Sequence, residues 1–371
     1  MKQLLILKYI LRDFLKKILF FKVYFYKPKK KKILVYDRKS ESHAKLLFPF
    51  KDLNFFDTRY ESINLYVACL TLFKNGIKEF LTNYKKNYFN IASPKIIYTS
   101  IDNNLGFYKL KKEFPTKSIY ISDQNGMRDN NFYISAKHFL KKNKGFNLQS
   151  DIIFTFGSNE KNKLKNVIKS KIFASGATKN NFYVNKKKKH LIKNLIFVSN
   201  KPIVDFERDL VLFKNTLKFC KKFNYKLYFI DRLKKNYSLY LKSYFNKEDF
   251  VHVSPKDSSS TYKFFNEENL LIFNHSSLGY EFMSRGFKCV SFGHNSKYLN
   301  HGYKKNYSKE GIFWTNKIQY KNFEKKILTI INYNSKKWKK NILKYSHEIM
   351  CYDKFNKNKK MIIKKFLNNS L

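Results

Sequence analysis

The sequence predicts an α/β protein built from two tandem, doubly wound parallel-sheet domains. Short apolar runs alternate with longer lysine-rich segments of helical period, which is typical of βαβ units. Six such runs precede the charged stretch NKKKKH at 185–190 and six follow it, so we expect one sheet on each side. The 371 residues suffice for two cores of ordinary size, and 43% of them are hydrophobic.

The elements follow in order along the chain. The predicted strands of the first half are KILVYD, NFF, KIIYTS, SIYIS, DIIFTFG and KIFASG, and those of the second half are LIFVSN, KLYFID, FVHVS, LLIFN, KCVSFG and IFWTN. The predicted domains are therefore residues 33–184 and 190–320. Residues 321–371 are expected to be helical throughout, with Trp338 and Tyr345 as packing anchors.

Residues 1–32 are predicted to form a basic amphipathic helix. Lys8, Arg12 and Lys16 recur every four residues and share one face, and a run of lysines follows at 29–32. Charges interrupt the apolar stretch, so neither a spanning helix nor a signal peptide is expected. Such a helix can lie on an anionic membrane, or it can pack its apolar stripe on the domain. The first alternative predicts a cytoplasmic protein that is peripheral on the inner face of the membrane.

The charge is large but does not indicate a nucleic-acid partner. The net charge is +49, yet only seven of the 76 basic residues are arginine, and the lysines are scattered over the whole chain. Proteins that read nucleic acids concentrate basic residues on one face and rely on arginine, so we expect no specific nucleic acid. The four cysteines form no CxxC pair, and no metal-ligand motif occurs, so we expect neither a disulfide framework nor a metal site.

Polar residues follow nearly every predicted strand. Ligands of open α/β sheets bind beyond the carboxyl ends of the strands, and two such faces would form an interdomain cleft. The residues at these ends in the first half are Asp37, Arg38, Glu41, His43, Arg59, Asp102, Asn103, Asp123, Gln124 and Asn125. Those of the second half are Ser199, Arg232 and the stretch NHSSLGYEFMSRGFKCVSF at 274–292.

The stretch 274–292 predicts a phosphate site. A strand ends at Asn274 and a helix begins just after it, and the unpaired N–H groups of a helix N-terminus bind phosphate. We expect Ser276, Ser277, Leu278 and Gly279 to hold the phosphate of a nucleotide and Glu281 to hold its ribose. Ser199 and Arg232 are expected to complete the nucleotide site. The alternative is a serine that caps the helix without any ligand.

Several motifs together resemble a known family. ILVYDRKSES, DTRYESINL, SIDNNLGFYKLKKEFP, SDQNGMR, FTFGSN, ASGATKNN, SSLGYEFMSRG and GIFWTN, in this order, are similar to the surface carbohydrate biosynthesis proteins of lipopolysaccharide gene clusters. The segment SSLGYEFMSRGFKCVSF resembles the donor-site segment of GT-B-like transferases of capsule, O-antigen and teichoic acid synthesis. The resemblance covers about residues 30–320. It departs from the family at Asn274-His275-Ser276-Ser277, where a Thr/Asp-Ser-Thr pattern is usual.

The resemblance implies a two-domain glycosyltransferase. A nucleotide-activated sugar would bind the C-terminal domain and a lipid-linked or polysaccharide acceptor the N-terminal one. The reaction would need neither a metal nor a cofactor, because the helix dipole and basic side chains would stabilise the departing phosphate. The alternatives are a nucleotide-sugar epimerase or a glycerol-phosphate transferase on the same fold, and a non-catalytic RNA- or membrane-binding protein.

An inverting transfer needs a general base near the acceptor hydroxyl. Asp102 is the first candidate, because SIDNN flanks one carboxylate with amides, and Glu41 and His43 are the next. The predicted acceptor-binding residues are Arg38, Arg59, Asn103, Gln124 and Asn125. Each polar residue taken alone could also serve a turn or a cap.

Overall fold

A computed structural model describes residues 22–58, 62–128, 130–183, 191–199, 206–230, 249–253, 255, 257, 259–274, 276–293 and 310–368. It confirms the α/β class, with parallel sheets and helical connections.

Six strands of the first half form one sheet, as predicted. The eight strands of this half are β1 (Lys22–Tyr24), β2 (Ile33–Tyr36), β3 (Leu53–Phe56), β4 (Ser62–Asn64), β5 (Ile96–Thr99), β6 (Ile119–Asp123), β7 (Gln149–Thr155) and β8 (Lys169–Ala174), of which β1 and β4 lie outside this sheet. The helices are α1 (Glu41–Leu47), α2 (Leu65–Asn75), α3 (Phe80–Ala92), α4 (Leu105–Glu113), α5 (Asn130–Lys142) and α6 (Ser158–Leu164). The sheet order is β3-β2-β5-β6-β7-β8, so the chain changes direction between β2 and β5.

The second half forms a five-stranded sheet. Its strands are β9 (Asn194–Val198), β10 (Lys226–Ile230), β11 (Val251–Val253), β12 (Asn269–Phe273) and β13 (Cys289–Ser291). Its helices are α7 (Phe206–Phe223), α8 (Ser277–Ser284), α9 (Tyr320–Asn332), α10 (Ser335–Ile349) and α11 (Lys357–Asn368). The order β11-β10-β9-β12-β13 places the change of direction between β9 and β12. β12 is buried along its whole length, as expected of a parallel strand covered on both faces.

The prediction of a sixth strand at IFWTN is wrong. The segment makes only an isolated bridge between Ser291 and Trp314. The reason is a tight turn, since the N–H of Gly311 donates a hydrogen bond to the carbonyl of Trp314 at 3.0 Å. The segment therefore meets β13 at a single residue: the N–H of Ser291 donates to the carbonyl of Phe313 at 2.7 Å, and the N–H of Thr315 donates to the carbonyl of Ser291 at 3.0 Å.

The helix predicted over residues 1–32 does not reach residue 32. Residues 22–24 form β1, which pairs in parallel with β4 in a separate two-stranded sheet. Val23 and Tyr24 favour a strand, and Pro28 further along lacks the N–H that a helix requires. Residues 1–21, which include Lys8, Arg12 and Lys16, lie outside the described residues.

The C-terminal tail is helical, as predicted, with breaks before Ser335 and between residues 349 and 357. Trp338 is 1% exposed and donates its indole N–H to the carbonyl of Phe287 at 3.2 Å. Tyr345 packs edge-on against Trp314, with ring centroids 5.0 Å apart. Both residues are therefore confirmed as packing anchors. None of the helices that the structure describes is long and apolar enough to cross a membrane.

The chain divides into two compact units. The first consists of Met1–Asp123, Asn147–Ile152 and Ile362–Leu371, and the second of Gln124–Phe146 and Ile153–Met361. The break predicted at 185–190 lies within 184–190, outside the described residues, so the domain boundaries drawn from the sequence stay predictions.

Candidate functional site

The strongest candidate site lies where the second sheet changes direction. Val198 of β9 pairs with Phe273 of β12, so the next residues, Ser199 and Asn274, emerge side by side at the carboxyl edge. β9 leads on to β10 on one side, whereas β12 and β13 lie on the other. A crevice opens at such a switch point, and ligands of open α/β sheets bind there.

Asn274 is held in place by an aspartate that the sequence analysis did not single out. Its amide Nδ2 donates a hydrogen bond to Oδ1 of Asp209 at 3.2 Å, and both residues are buried. Asp209 lies in the first turn of α7, the helix that precedes β10. An acidic residue one turn into the helix that follows the central strand is the sequence signal that could have indicated it.

Helix α8 begins directly beyond this point. Ser276 is its N-cap and accepts a hydrogen bond from the N–H of Leu278 at 3.3 Å. The capping role considered for this serine is therefore present. Ser277, the first residue of the helix, is 7% exposed. Phosphate binding by the remaining N–H groups of this turn stays a prediction.

Gly279 has a role other than the predicted one. A Cβ atom at this position would lie 2.3 Å from the ring of Phe273, so the glycine lets α8 pack closely on β12. Leu278 also packs partly against the same core. The N–H of Gly279 donates a hydrogen bond to the carbonyl of Ser276 at 3.1 Å. The glycine therefore explains the packing of the helix and not the approach of a ligand.

Glu281 is placed inside the second unit. It is fully buried, its carboxylate accepts a hydrogen bond from the hydroxyl of Tyr262, and its Oε1 lies 3.3 Å from Nζ of Lys179. A carboxylate with these partners stabilises the fold, and the ribose contact predicted for it is not the arrangement in the structure. The reason is that Glu281 faces the core, because Tyr262 and Lys179 cover that side of α8.

Ser199 has the features of a binding residue. It is fully buried, and its hydroxyl has no hydrogen-bond partner within the described part of the chain. A buried hydroxyl of this kind calls for an explanation, and a ligand at the strand end is one. The other residues predicted nearby, Arg232 and His275, lie outside the described residues, as does Arg59 of the first half.

The first sheet brings the segments of the three candidate bases together. The N–H of Ser100, just after β5, donates a hydrogen bond to Oγ of Ser40 at 2.8 Å. Ser40 directly precedes α1, which carries Glu41 and His43, and Asp102 follows Ser100. The structure thus places all three candidates at the switch point between β2 and β5.

The three candidates differ in exposure. His43 is 5% exposed and Asp102 is 4% exposed. The side chain of Glu41 is 31% exposed, and its carboxylate pairs with Nζ of Lys45 at 2.6 Å. Glu41 is therefore the candidate that an acceptor can reach with the least rearrangement.

The remaining carboxylates at these strand ends have structural partners. Asp37, with a positive φ of 81°, accepts hydrogen bonds from the N–H of Lys39 at 3.0 Å and from the hydroxyl of Thr58 at 2.9 Å. Asp123 is fully buried and accepts a hydrogen bond from the hydroxyl of Tyr98 at 2.9 Å. Burial, reinforced by Asp123, raises the pKa of Tyr98 well above its usual range.

Arg38 lines a cavity of about 440 Å³ in the first unit. Its Nε lies 3.0 Å from Oδ1 of Asp57, and its guanidinium stacks 5.0 Å from the ring centre of Phe55. The aromatic residues around the cavity are Tyr24, Tyr26, Phe55, Phe56, Tyr84 and Tyr88. Aromatic faces beside a cation and hydrogen-bonding side chains suit a polar, ring-shaped or anionic group.

The other predicted acceptor residues differ in their surroundings. Asn103 is exposed and Asn125 is half-buried. Gln124 is buried, and both ends of its amide bond to the backbone: Nε2 donates to the carbonyl of Gly126 at 2.9 Å, and Oε1 accepts from the N–H of Phe156 at 2.7 Å. These two bonds give Gln124 a structural role.

Two arginines outside these sites use their planar fork within the fold. Arg285 donates to Oδ1 of Asn180 at 2.8 Å and to the carbonyl of Tyr183 at 2.7 Å, and burial lowers its pKa. Arg208 donates to the carbonyl of Phe292 at 2.7 Å and to that of Asn316 at 3.0 Å. Both guanidinium groups therefore hold the fold together through several bonds to the backbone and to Asn180.

Within the described residues, no three His, Cys, Asp or Glu side chains gather as metal ligands would. Metal independence itself stays a prediction.

Residues 204–370 match the model of a family described as "putative O-antigen biosynthesis protein". This range contains Asp209, Asn274 and helix α8. The resemblance to O-antigen biosynthesis proteins is confirmed. No curated protein sequence matches the chain.

Solved structures share the fold over nearly the whole chain. MnaA of S. aureus, solved with UDP, has a TM-score of 0.53 and 11% identity, over 94% of this chain and 97% of that one. The wall teichoic acid polymerase TagF has a TM-score of 0.52 and 11% identity, over 92% and 89%. The UDP-GlcNAc 2-epimerase of Methanocaldococcus jannaschii has a TM-score of 0.51 and 13% identity, over 87% and 99%. At these identities the likeness is one of fold, and it confirms the GT-B-like architecture.

Proposed function

We propose that the protein is a glycosyltransferase-type enzyme of bacterial surface polysaccharide synthesis, acting on O-antigen, lipopolysaccharide or capsule. It takes a sugar from a nucleotide-activated donor and transfers it to a membrane-associated acceptor. The observation that carries the proposal is the switch point between β9 and β12, where Ser199, Asn274 and the N-terminus of α8 meet at one strand edge.

The donor phosphate binds at the first turn of α8. The capped helix presents its first N–H groups and its positive dipole end there, and the hydroxyls of Ser199 and Ser277 lie at the same edge. Proteins of the same fold were solved with UDP, in the case of MnaA, and after a soak with CDPG, in the case of TagF. These ligands support a nucleotide-activated donor.

The acceptor binds the first unit, with Arg38 and its cavity as the anionic or saccharide contact. Glu41 takes the proton of the acceptor hydroxyl, because it is the most exposed of the three candidates. The segments that carry His43 and Asp102 meet at the same switch point, through the hydrogen bond between Ser100 and Ser40. The helix dipole and neighbouring lysines stabilise the departing nucleotide without a metal or a cofactor. The protein works in the cytoplasm on the inner face of the membrane.

Two other reactions suit the same site. Epimerases of nucleotide sugars and a teichoic acid polymerase share this fold, so an epimerase or a glycerol-phosphate transferase is the second candidate. A non-catalytic basic protein that binds RNA or membranes is the third. Its basis is the net charge of +49.

Incubation with radiolabelled nucleotide sugars, with and without a lipid-linked acceptor, tests the proposal. Label that appears on the acceptor, with no change of the nucleotide sugar when the acceptor is left out, supports the transferase. Conversion of the nucleotide sugar into its epimer without acceptor identifies an epimerase. Salt-sensitive binding of generic RNA that no nucleotide displaces, without turnover of any nucleotide sugar, contradicts both.

A further inference from the structure

Helices α2 and α3 form a hairpin with an apolar tip. Residues 72–81, here called the hairpin tip, join the end of α2 to the start of α3. The exposed fractions of its large apolar residues are 47% for Leu72, 91% for Phe73, 84% for Ile77 and 50% for Leu81. Four large apolar side chains exposed within ten residues mark an interaction surface.

Cations flank these apolar side chains. Lys74 follows Phe73 directly, Lys78 follows Ile77, and both are exposed. Residues 65–92, the whole hairpin, carry four lysines and a single acidic residue, Glu79. The surface therefore combines apolar side chains with a net positive charge, which complements an anionic partner.

The shape of the tip favours a bilayer over a protein. A stable protein interface buries about 800 Å² on each partner and is formed by a broad patch. Here four apolar side chains project from one turn and two helix ends, and the two lysines beside them, Lys74 and Lys78, outnumber the single acidic residue, Glu79. Apolar side chains entering the acyl boundary, with lysines at the level of the phosphates, are the arrangement of an interfacial membrane anchor.

We propose that the hairpin tip docks on an anionic lipid bilayer, with Phe73 and Ile77 inserted below the headgroups. Lys74 and Lys78 contact lipid phosphates. This surface is distinct from residues 1–21, and its docking requires no nucleotide and no acceptor.

The docking also has a consequence that rests on the proposed function. Tyr84 and Tyr88 of α3 line the cavity that contains Arg38. A helix rises about 1.5 Å per residue, so Tyr88 lies about 10 Å along α3 from Leu81. An acceptor anchored in the bilayer by its lipid could therefore reach the cavity with its polar head.

Sedimentation of the full-length chain with vesicles tests the docking. The vesicles contain phosphatidylglycerol mixed with phosphatidylcholine, and a second set contains phosphatidylcholine alone. The test variant is Phe73→Asp with Ile77→Asp. The matched control is Ile134→Asp with Met361→Asp, since these residues are 62% and 63% exposed on α5 and α11. All variants are first checked by thermal melting.

We expect the parent and the control to bind anionic vesicles alike and the test variant to bind at least about tenfold more weakly, because two inserted apolar side chains are lost. Lys74→Glu with Lys78→Glu should also weaken binding, and phosphatidylcholine alone should bind little. No nucleotide is present, so the result is independent of the donor site.

Three results would overturn the proposal. The first is a test variant that binds like the parent. The second is a triple variant, Lys8→Glu with Arg12→Glu and Lys16→Glu, that no longer binds while the Phe73→Asp, Ile77→Asp variant still does. That result would assign the membrane contact to residues 1–21. The third is a parent that is dimeric by sedimentation velocity and a test variant that is monomeric, which would make the tip a contact between two copies.

Discussion

The side-chain amide of Asn274 donates a hydrogen bond to Oδ1 of Asp209 at 3.2 Å, inside the second unit. This bond joins the carboxyl end of β12 to the first turn of α7, and so it spans the point where the sheet changes direction. It keeps the strand end in place directly before the N-cap of α8. The geometry of the proposed donor site depends on it.

Replacement of Asn274 by Asp should destabilise the protein. The change keeps the size of the side chain but sets a second carboxylate against that of Asp209 in a buried place, and we expect the free energy of unfolding to fall by about 1–3 kcal/mol. Urea denaturation measures it. Asn103→Asp, at an exposed position after β5, is the control and should change stability little. Equal stability of the two variants would show that the Asn274 bond is unimportant.

Gly279→Ala should destabilise the contact between α8 and β12. The added Cβ would lie 2.3 Å from the ring of Phe273, and overpacking of this kind costs about 1–3 kcal/mol. Gly126→Ala has no neighbour within 4 Å of the added atom and is the matched control. Replacing the facing ring by a smaller side chain, in the double variant Gly279→Ala with Phe273→Leu, should recover part of the lost stability. If Gly279→Ala melts like the parent, the packing role is wrong.

Glu160 should make stability fall as the pH rises. Burial raises the pKa of its carboxyl above the ordinary 4.5, although Lys163 and the hydroxyl of Tyr133 act in the opposite direction. Between pH 4.5 and the folded pKa, the carboxyl of Glu160 therefore keeps a proton in the folded protein that the unfolded chain has lost. The stabilising contribution is complete below pH 4.5 and is lost as the pH rises through the folded pKa.

Glu160→Gln removes this titration. The difference in free energy of unfolding, variant minus parent, should therefore increase as the pH rises. Tyr133→Phe removes a hydrogen bond to the carboxylate and should have the opposite effect. Urea denaturation across the pH range compares the three proteins. Parallel profiles for Glu160→Gln and the parent would contradict the assignment.

The fold could be predicted from the sequence because parallel strands buried on both faces are continuous apolar runs. IIYT of β5 and NLLIF of β12 illustrate this, since every residue of both is buried. β1 and β4 could not be predicted, because each has three residues and the polar Ser62–Asn64 is extended only through its pairing with Lys22–Tyr24. IFWTN has the composition of a strand, but a turn at Gly311 decides its conformation.

The position of the candidate site was predictable, but the partners of its residues were not. A polar residue after an apolar run indicates a strand end, and Ser199, Asn274 and Ser276 do lie at one edge. Lys179 and Tyr262 reach Glu281 through packing, on which the sequence has no local signal, whereas Asp209 is indicated only by its position in the first turn of α7. A small residue such as Gly279 suits the approach of a phosphate as well as that of a ring, and only the structure distinguishes the two.

Calorimetric titration of UDP, CDP and GDP into Ser277→Asp, beside the parent, tests the central claim most directly. An acidic residue in the first turn of a helix favours the helix, by about 0.3–1 kcal/mol, but it repels a phosphate bound there. Ser335→Asp places the same change at the exposed first residue of α10 and controls for the effect of the added charge on a helix start. We predict that the parent and Ser335→Asp bind one of the nucleotides equally, and that Ser277→Asp, folded by thermal melting, binds it at least about tenfold more weakly. A folded Ser277→Asp protein that binds the nucleotide like the parent would contradict a phosphate site at the N-terminus of α8.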